Sequence, residues 1–197
     1  LALEMKQFLN WFNEEQNLGL LIKAAIAHLW FITIHPFDDG NGRIARAITD
    51  MQLSKADGTN QRFYSMSAEI NNQKKNYYNL LESTQKGNLE ITEWIIWFLE
   101  CLKKSILSSN VIIDKVIKKH QFWVQNASLI SNPRQHIMLN KLMDHFEGNL
   151  TTSKWAKMTK TSTDTALRDI TDLVNKGILV KANSGGRSTH YIINESK

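Results

Sequence analysis

Apolar residues recur along this chain at steps of three and four, so the pattern predicts helices over most of its length. Met5, Phe8, Leu9 and Phe12 mark a first amphipathic helix over residues 4–13. After Asn17 and Gly19, the run Leu20–Ile32 is apolar almost all round, the signature of a central helix buried on every side. Pro36 drives its predecessor out of the right-handed helical region, so that helix ends at about His35. Ile44, Ile48 and Met51 predict a third helix that starts at Asn41 or Gly42 and fades at Asp57-Gly58-Thr59-Asn60. An extended stretch, Arg62–Met66, leads into a helix capped by Ser67, running past Ile70, Tyr77 and Leu81 to Gln85 and stopped by Gly87. Thr92 opens a long helix through Trp94, Trp97, Phe98 and Ile106. Ser108-Ser109-Asn110 interrupts it, and the periodicity resumes from Val111 to Lys119.

The pattern breaks again between Asn126 and Pro133. This predicts one unit over residues 1–125, a linker over 126–133 and a small unit over 134–197. In the small unit, a helix from Arg134 carries Ile137, Leu139, Leu142 and Phe146. A short helix, Lys154–Met158, follows a Thr152-Ser153 cap, and a second covers Ser162–Asn175. Ile178–Val180 and His190–Ile193 read as paired strands around the glycine-rich tip Ser184–Ser188. The fold class is therefore mainly α, with a small α+β domain at the C-terminal end.

Composition narrows this little. With 42% hydrophobic residues and two prolines, the chain fits a helical globular protein, and no apolar run is long enough to span a bilayer. The net charge of +5 permits nucleic-acid or nucleotide contact without demanding either. Cys101 is the only cysteine, which argues against an intrachain disulfide and points to a reducing, cytoplasmic setting with a buried, inert thiol. The first residue is Leu1, without Met or leader pattern, so a longer parent protein is expected.

The densest chemistry lies in His35-Pro36-Phe37-Asp38-Asp39-Gly40-Asn41-Gly42-Arg43-Ile44-Ala45-Arg46, a tight helix–loop–helix corner. Gly40 and Gly42 allow a sharp turn and close approach of a ligand. Amides at the start of the next helix form an anion cradle. Arg43 and Arg46 share a helical face and suit one polyphosphate. Asp39 offers oxygen to Mg²⁺, and His35 is an imidazole placed to act as a general base. Phe37, set between polar residues, is expected to point inward as an anchor. His28 shares the His35 face of its helix, and a hydrogen-bonded core role is favoured for it.

This run resembles the Fic-domain signature H-x-F-x-(D/E)-G-N-G-R-x-x-R at every specified position. The resemblance implies a Fic-like helical bundle that moves AMP from ATP to a Ser, Thr or Tyr hydroxyl of a target protein. It implies His35 as base, Asp39 as Mg²⁺ ligand, and Phe37, Asp38, Gly40, Asn41, Gly42, Arg43 and Arg46 as nucleotide-binding residues. Tyr77 or Tyr78 would line the purine pocket, although packing along a helix seam explains two tyrosines equally well. Doc-type kinases of the family carry lysine at the place of Gly42, so AMP transfer is implied over phosphate transfer. Removal of AMP by the same fold is the alternative chemistry. The family's inhibitory (S/T)-x-x-x-E-(G/N) helix and its β-hairpin flap are not evident, so they would precede Leu1.

The C-terminal segment resembles a winged helix-turn-helix domain in the order of its elements. That resemblance implies Thr161, Ser162, Thr163, Thr165 and Arg168 toward a nucleic-acid groove, with Lys157 and Lys160 on phosphates and Arg187 at the wing tip. From Glu147 onward, however, eight basic residues face five acidic ones, a net of only +3, so protein docking is favoured over DNA. A DNA-binding regulator whose Fic-like part senses nucleotide is the alternative from a different class, and a homodimer is a further partner to consider.

Overall fold

The computed structural model describes residues 1–14, 17–59, 61–88, 90–130, 132–144, 146–182 and 189–194. Its elements are α1 (Ala2–Glu14), α2 (Leu20–Ile34), α3 (Asn41–Asp57), α4 (Met66–Asn72), α5 (Lys74–Gln85), α6 (Thr92–Asn126), a 3₁₀ turn (Ala127–Leu129), α7 (Pro133–Asp144), α8 (Thr152–Thr159), α9 (Thr163–Asn175), β1 (Leu179–Lys181) and β2 (Tyr191–Ile193). Among the described residues, no helix is long and apolar enough to cross a membrane.

The first compact unit, Leu1–Ile113, is built around α2. Ala24, Ala25 and Ala27 are fully buried, and such small side chains let neighbouring helices approach closely. The indole Nε1 of the fully buried Trp94 donates to the Ala25 carbonyl at 2.9 Å, tying α6 to the α2 backbone. Phe8, Trp11, Trp30 and Phe31 form one aromatic cluster, and Tyr77, Trp94, Trp97 and Phe98 another. Rings of this size each bury a large apolar area.

Two expected boundaries shift. The helix read as one from Ser67 to Gln85 is two, broken at Gln73. Asn71-Asn72-Gln73 favours a turn, and the Gln73 side chain bonds back to Glu69 at 2.7 Å. Ser65, rather than Ser67, caps α4 by accepting the Ala68 N–H. Conversely, the expected interruption at Ser108-Ser109-Asn110 is absent, and α6 runs unbroken from Thr92 to Asn126. Serine and asparagine are only mildly unfavourable inside a helix. The Ser105 hydroxyl donates to Leu102 O at 2.7 Å, and that of Ser109 donates to Phe63 O.

The second compact unit, Asp114–Lys197, begins within α6, ahead of the segment read as a linker. Phe122 and Trp123 pack on its core, and Trp123 stacks on His136 with ring centroids 4.7 Å apart. That core joins α7, α8, α9 and the strands through Met138, Leu139, Trp155, Ile170, Leu173, Leu179 and Tyr191. The strands pair antiparallel, Leu179 with Ile193 and Lys181 with Tyr191. Asp169, buried on α9, receives bonds from Asn132 Nδ2 (2.7 Å), Arg134 Nε (2.8 Å) and the Arg134 terminal nitrogen (2.9 Å). Thr151, one residue before the expected cap, caps α8 through the Lys154 N–H.

Candidate functional site

The corner begins where α2 ends. His35 closes the helix in the left-handed conformation (φ 48, ψ 59), its N–H still bonded to Phe31 O at 3.2 Å. A non-glycine residue held there costs about 1–2 kcal/mol, so surrounding contacts must enforce it. Gly40 (φ 85) is also left-handed and accepts from the N–H groups of Arg43 and Ile44. Among the described residues, the amides of Asn41 and Gly42 stand ahead of these bonds, at the positive end of the α3 dipole.

Asn41 is the clasp of this loop. Only 2% exposed, it accepts from Phe37 N–H at 3.0 Å and donates to Phe37 O at 2.5 Å. The same Nδ2 lies 3.3 Å from each ring nitrogen of His35. Its side-chain amide thus shapes the loop and sets the imidazole. Phe37 departs from the inward orientation expected of it: it is 49% exposed, with its ring 6.4 Å from Phe31. The clasp holds its backbone, and the α2 face that an inward ring would need is already filled by Phe31 and Ile32.

Asp38, Asp39 and Arg43 stand exposed on the same corner, and Arg46 is half-buried. Among the described residues, none of these four has an oppositely charged partner within ion-pair distance. Arg46 folds back over the first turn of α3, and a methyl group built on Gly42 would sit 3.5 Å from its terminal nitrogen. No group of three or more His, Cys, Asp or Glu side chains suited to a metal occurs among the described residues. A lone carboxylate such as Asp39 fits a Mg²⁺ ion that brings its other ligands as phosphate oxygens and water, and does not fit a cage made of protein alone.

Behind the corner lies a network that the periodicity of the chain did not reveal. Buried His28 places Nδ1 2.8 Å from Thr49 Oγ1 and Nε2 3.0 Å from the Tyr77 hydroxyl. The Thr49 hydroxyl donates to Ala45 O at 2.9 Å, so His28 Nδ1 must carry the proton and Nε2 must accept from Tyr77. Burial, aided by the nearby Arg46 charge, lowers the His28 pKa to about 4. Burial likewise raises the Tyr77 hydroxyl to about 12. Tyr77 is therefore packed as a core residue and joined to His28. Tyr78 is exposed, its ring 5.1 Å from that of Tyr77. The recurrence of Asn41, Ala45 and Thr49 every four residues was the one available signal of the buried α3 face.

In the second unit, Ser162 caps α9 by accepting the Thr165 N–H at 3.2 Å, and the two hydroxyls lie 3.0 Å apart. Both side chains are thereby engaged in capping. Lys157, Thr163 and Arg168 are exposed, and Lys160 is exposed in the left-handed region (φ 54). Arg187 lies outside the described residues. The exposed part of α9 also carries Asp164 and Leu167.

Residues 1–53 match the Fic/DOC family. The chain is similar to "Protein adenylyltransferase Fic" of Drosophila grimshawi, 32% identical over 108 residues, covering 54% of this chain and 21% of that protein. The protein of the same name from Drosophila mojavensis is also 32% identical over 108 residues, covering 54% of this chain and 20% of its own length. The chain thus spans about a fifth of the length of these relatives. A solved Fic family protein from Desulfovibrio desulfuricans G20 aligns with 100% of this chain and 55% of its own at a TM-score of 0.49 and 16% identity. The His35–Arg46 corner thus lies within the residues that match the Fic/DOC family, and over 108 residues the chain is similar to proteins named adenylyltransferases.

Proposed function

We propose that this protein transfers AMP from ATP to a Ser, Thr or Tyr hydroxyl of a target protein, releasing pyrophosphate. The observation that carries the reading is the corner itself: an imidazole clasped by Asn41 beside a helix N-terminus and two arginines that have no ion-pair partner among the described residues. In this reading His35 takes the proton of the attacking hydroxyl as it forms a bond to the α-phosphorus of ATP. The bond from that phosphorus to the bridging oxygen breaks, and pyrophosphate leaves. The amides of Asn41 and Gly42 face the α-phosphate region, while Arg43 and Arg46 hold the β- and γ-phosphates. Asp39 supplies the protein's oxygen to the Mg²⁺ that accompanies ATP. Positioning and charge neutralisation carry more of the rate than the base, whose share is about 10²–10⁴-fold.

Incubation with ATP labelled at the α-phosphate, Mg²⁺ and a cell lysate tests this. The native chain is expected to label protein, and His35→Ala is expected to lose at least about 10²-fold of that labelling. Equal labelling by both would remove the proposal. Loss of pre-attached AMP from a modified protein, in place of labelling, would instead favour the reverse hydrolysis.

For the second unit, the winged-helix reading of α7, α8, α9 and the hairpin is part of the same proposal, with a protein as its partner. Of the acidic residues on α9, Asp169 is buried against Arg134 and Asp172 is paired with Lys176, which leaves exposed Asp164 to offset Arg168 and gives the helix no excess of positive charge for the phosphates of a groove. Duplex DNA binding that weakens with salt and falls further in Arg168→Ala would overturn this part alone.

A further inference from the structure

Within the second unit, the C-terminal part of α6, α7 and the strand pair enclose a cleft of about 490 Å³. That volume falls in the range of small-molecule sites, about 300–1,000 Å³. Lys115, Lys118, Phe122 and Gln125 follow one another at steps of three and four residues, so a single face of the helix forms one wall. Leu142 and Met143 of α7 line it as well, with Ile193 of β2.

The walls are held in place by their own bonds. Lys119 Nζ donates to the two Asp144 oxygens at 2.7 and 2.9 Å, joining α6 to α7. Trp123 Nε1 makes a second tie by donating to Asn140 Oδ1 at 3.2 Å. Beside the strands, the Asn194 N–H donates to Ile178 O and its Nδ2 to Gly177 O, each at 3.0 Å. The cleft is therefore built before a ligand arrives, and binding has little left to order.

Charge decides what the cleft would take. Among the described residues, no acidic side chain lines it, and Lys115 and Lys118 form no ion pair. Asp144, which follows Met143 in the chain, is already paired with Lys119. Phe122, Leu142, Met143 and Ile193, each half-buried, supply the apolar part of the lining. An inorganic anion would leave that apolar surface unused, and a neutral hydrocarbon would leave two ammonium groups without a counter-charge. A carboxylate joined to an apolar body satisfies both. We infer that this cleft binds a small amphipathic anion of that kind, at a site of the second unit distinct from the His35 corner.

Isothermal titration of the whole chain with decanoate reads this directly, with a dissociation constant expected on the order of 10–100 μM. Decan-1-ol and decylammonium, which share the chain but lack the carboxylate, are expected to bind at least about tenfold more weakly. Lys115→Gln combined with Lys118→Gln is expected to weaken decanoate about tenfold or more and to leave decan-1-ol unchanged. Both lysines are exposed, and circular dichroism checks that the double variant is folded. With methyl-labelled methionine, the Met143 NMR signal is expected to move on titration while those of Met5 and Met66, in the first unit, stay in place. No saturable binding at millimolar decanoate would overturn the inference. So would equal affinity for decan-1-ol or inorganic phosphate, a double variant that binds decanoate as the native chain does, or a Met143 signal that does not move. Binding that is lost as the chain self-associates would give the cleft to a second copy and overturn it equally. AMP transfer is scored separately, so failure here leaves the proposed activity standing.

Discussion

His28 shows how one buried residue sets a measurable property. It is neutral in the folded protein, with a pKa lowered to about 4, against about 6.5 for an unfolded chain. Between these values the unfolded state binds the extra proton, so stability falls as pH drops through that window and is flat in this component below about 4. The loss attributable to His28 is about 3 kcal/mol. Denaturant unfolding of the native chain and His28→Gln at pH 7 and pH 4.5 checks it, with a gap between them that narrows at the lower pH. Gly40 and Gly42 make a second comparison. Gly40→Ala, at φ 85, is expected to cost about 1–2 kcal/mol of stability. Gly42→Ala meets only ordinary contact and improves helix propensity, so stability is expected to hold or rise by up to about 1 kcal/mol. Nucleotide labelling is nonetheless expected to fall in Gly42→Ala, because the methyl group narrows the approach to the α3 amides. Asn41→Ala should cost about 2 kcal/mol through its lost bonds to Phe37, and should release the His35 ring. Unchanged NMR shifts of that ring in the variant would contradict the clasp.

At the scale of elements, the chain's own punctuation was legible wherever backbone chemistry decided the outcome. Pro36 ended α2 at His35, and Gly40 admitted the turn. It misled where weak local preferences were overridden. Ser108-Ser109-Asn110 reads as a break, yet each residue costs only tenths of a kcal/mol in a helix, and thirty-five residues of α6 continue through them. Asn71-Asn72-Gln73 reads as helix because Ile70 and Tyr77 keep the period on either side, yet the backbone turns there. Both failures have one cause: periodicity reports which face is apolar, and says little about a single residue's backbone between two such faces.

The whole molecule comprises two compact units, each with its own apolar core. Damage to one core is therefore expected to leave the chemistry of the other. Asp169→Ala removes the acceptor of three bonds in the second unit and should destabilise it by about 2–4 kcal/mol. Labelling by the His35 corner should be retained below the melting temperature of that unit. Calorimetry paired with the labelling assay checks both halves of this expectation, and loss of labelling in the folded variant would show the units to be functionally coupled.

By itself, the sequence determined the mainly helical fold and the corner from His35 to Arg46, because these depend on neighbours within one or two turns. Only the tertiary structure decided that Phe37 lies outward, that the Asn41 side chain bonds to the Phe37 backbone, and that His28 and Tyr77 are partners across α2 and α5. Those outcomes depend on which surfaces other helices have already filled. Such competition for space joins residues far apart in the chain, and no local pattern records it.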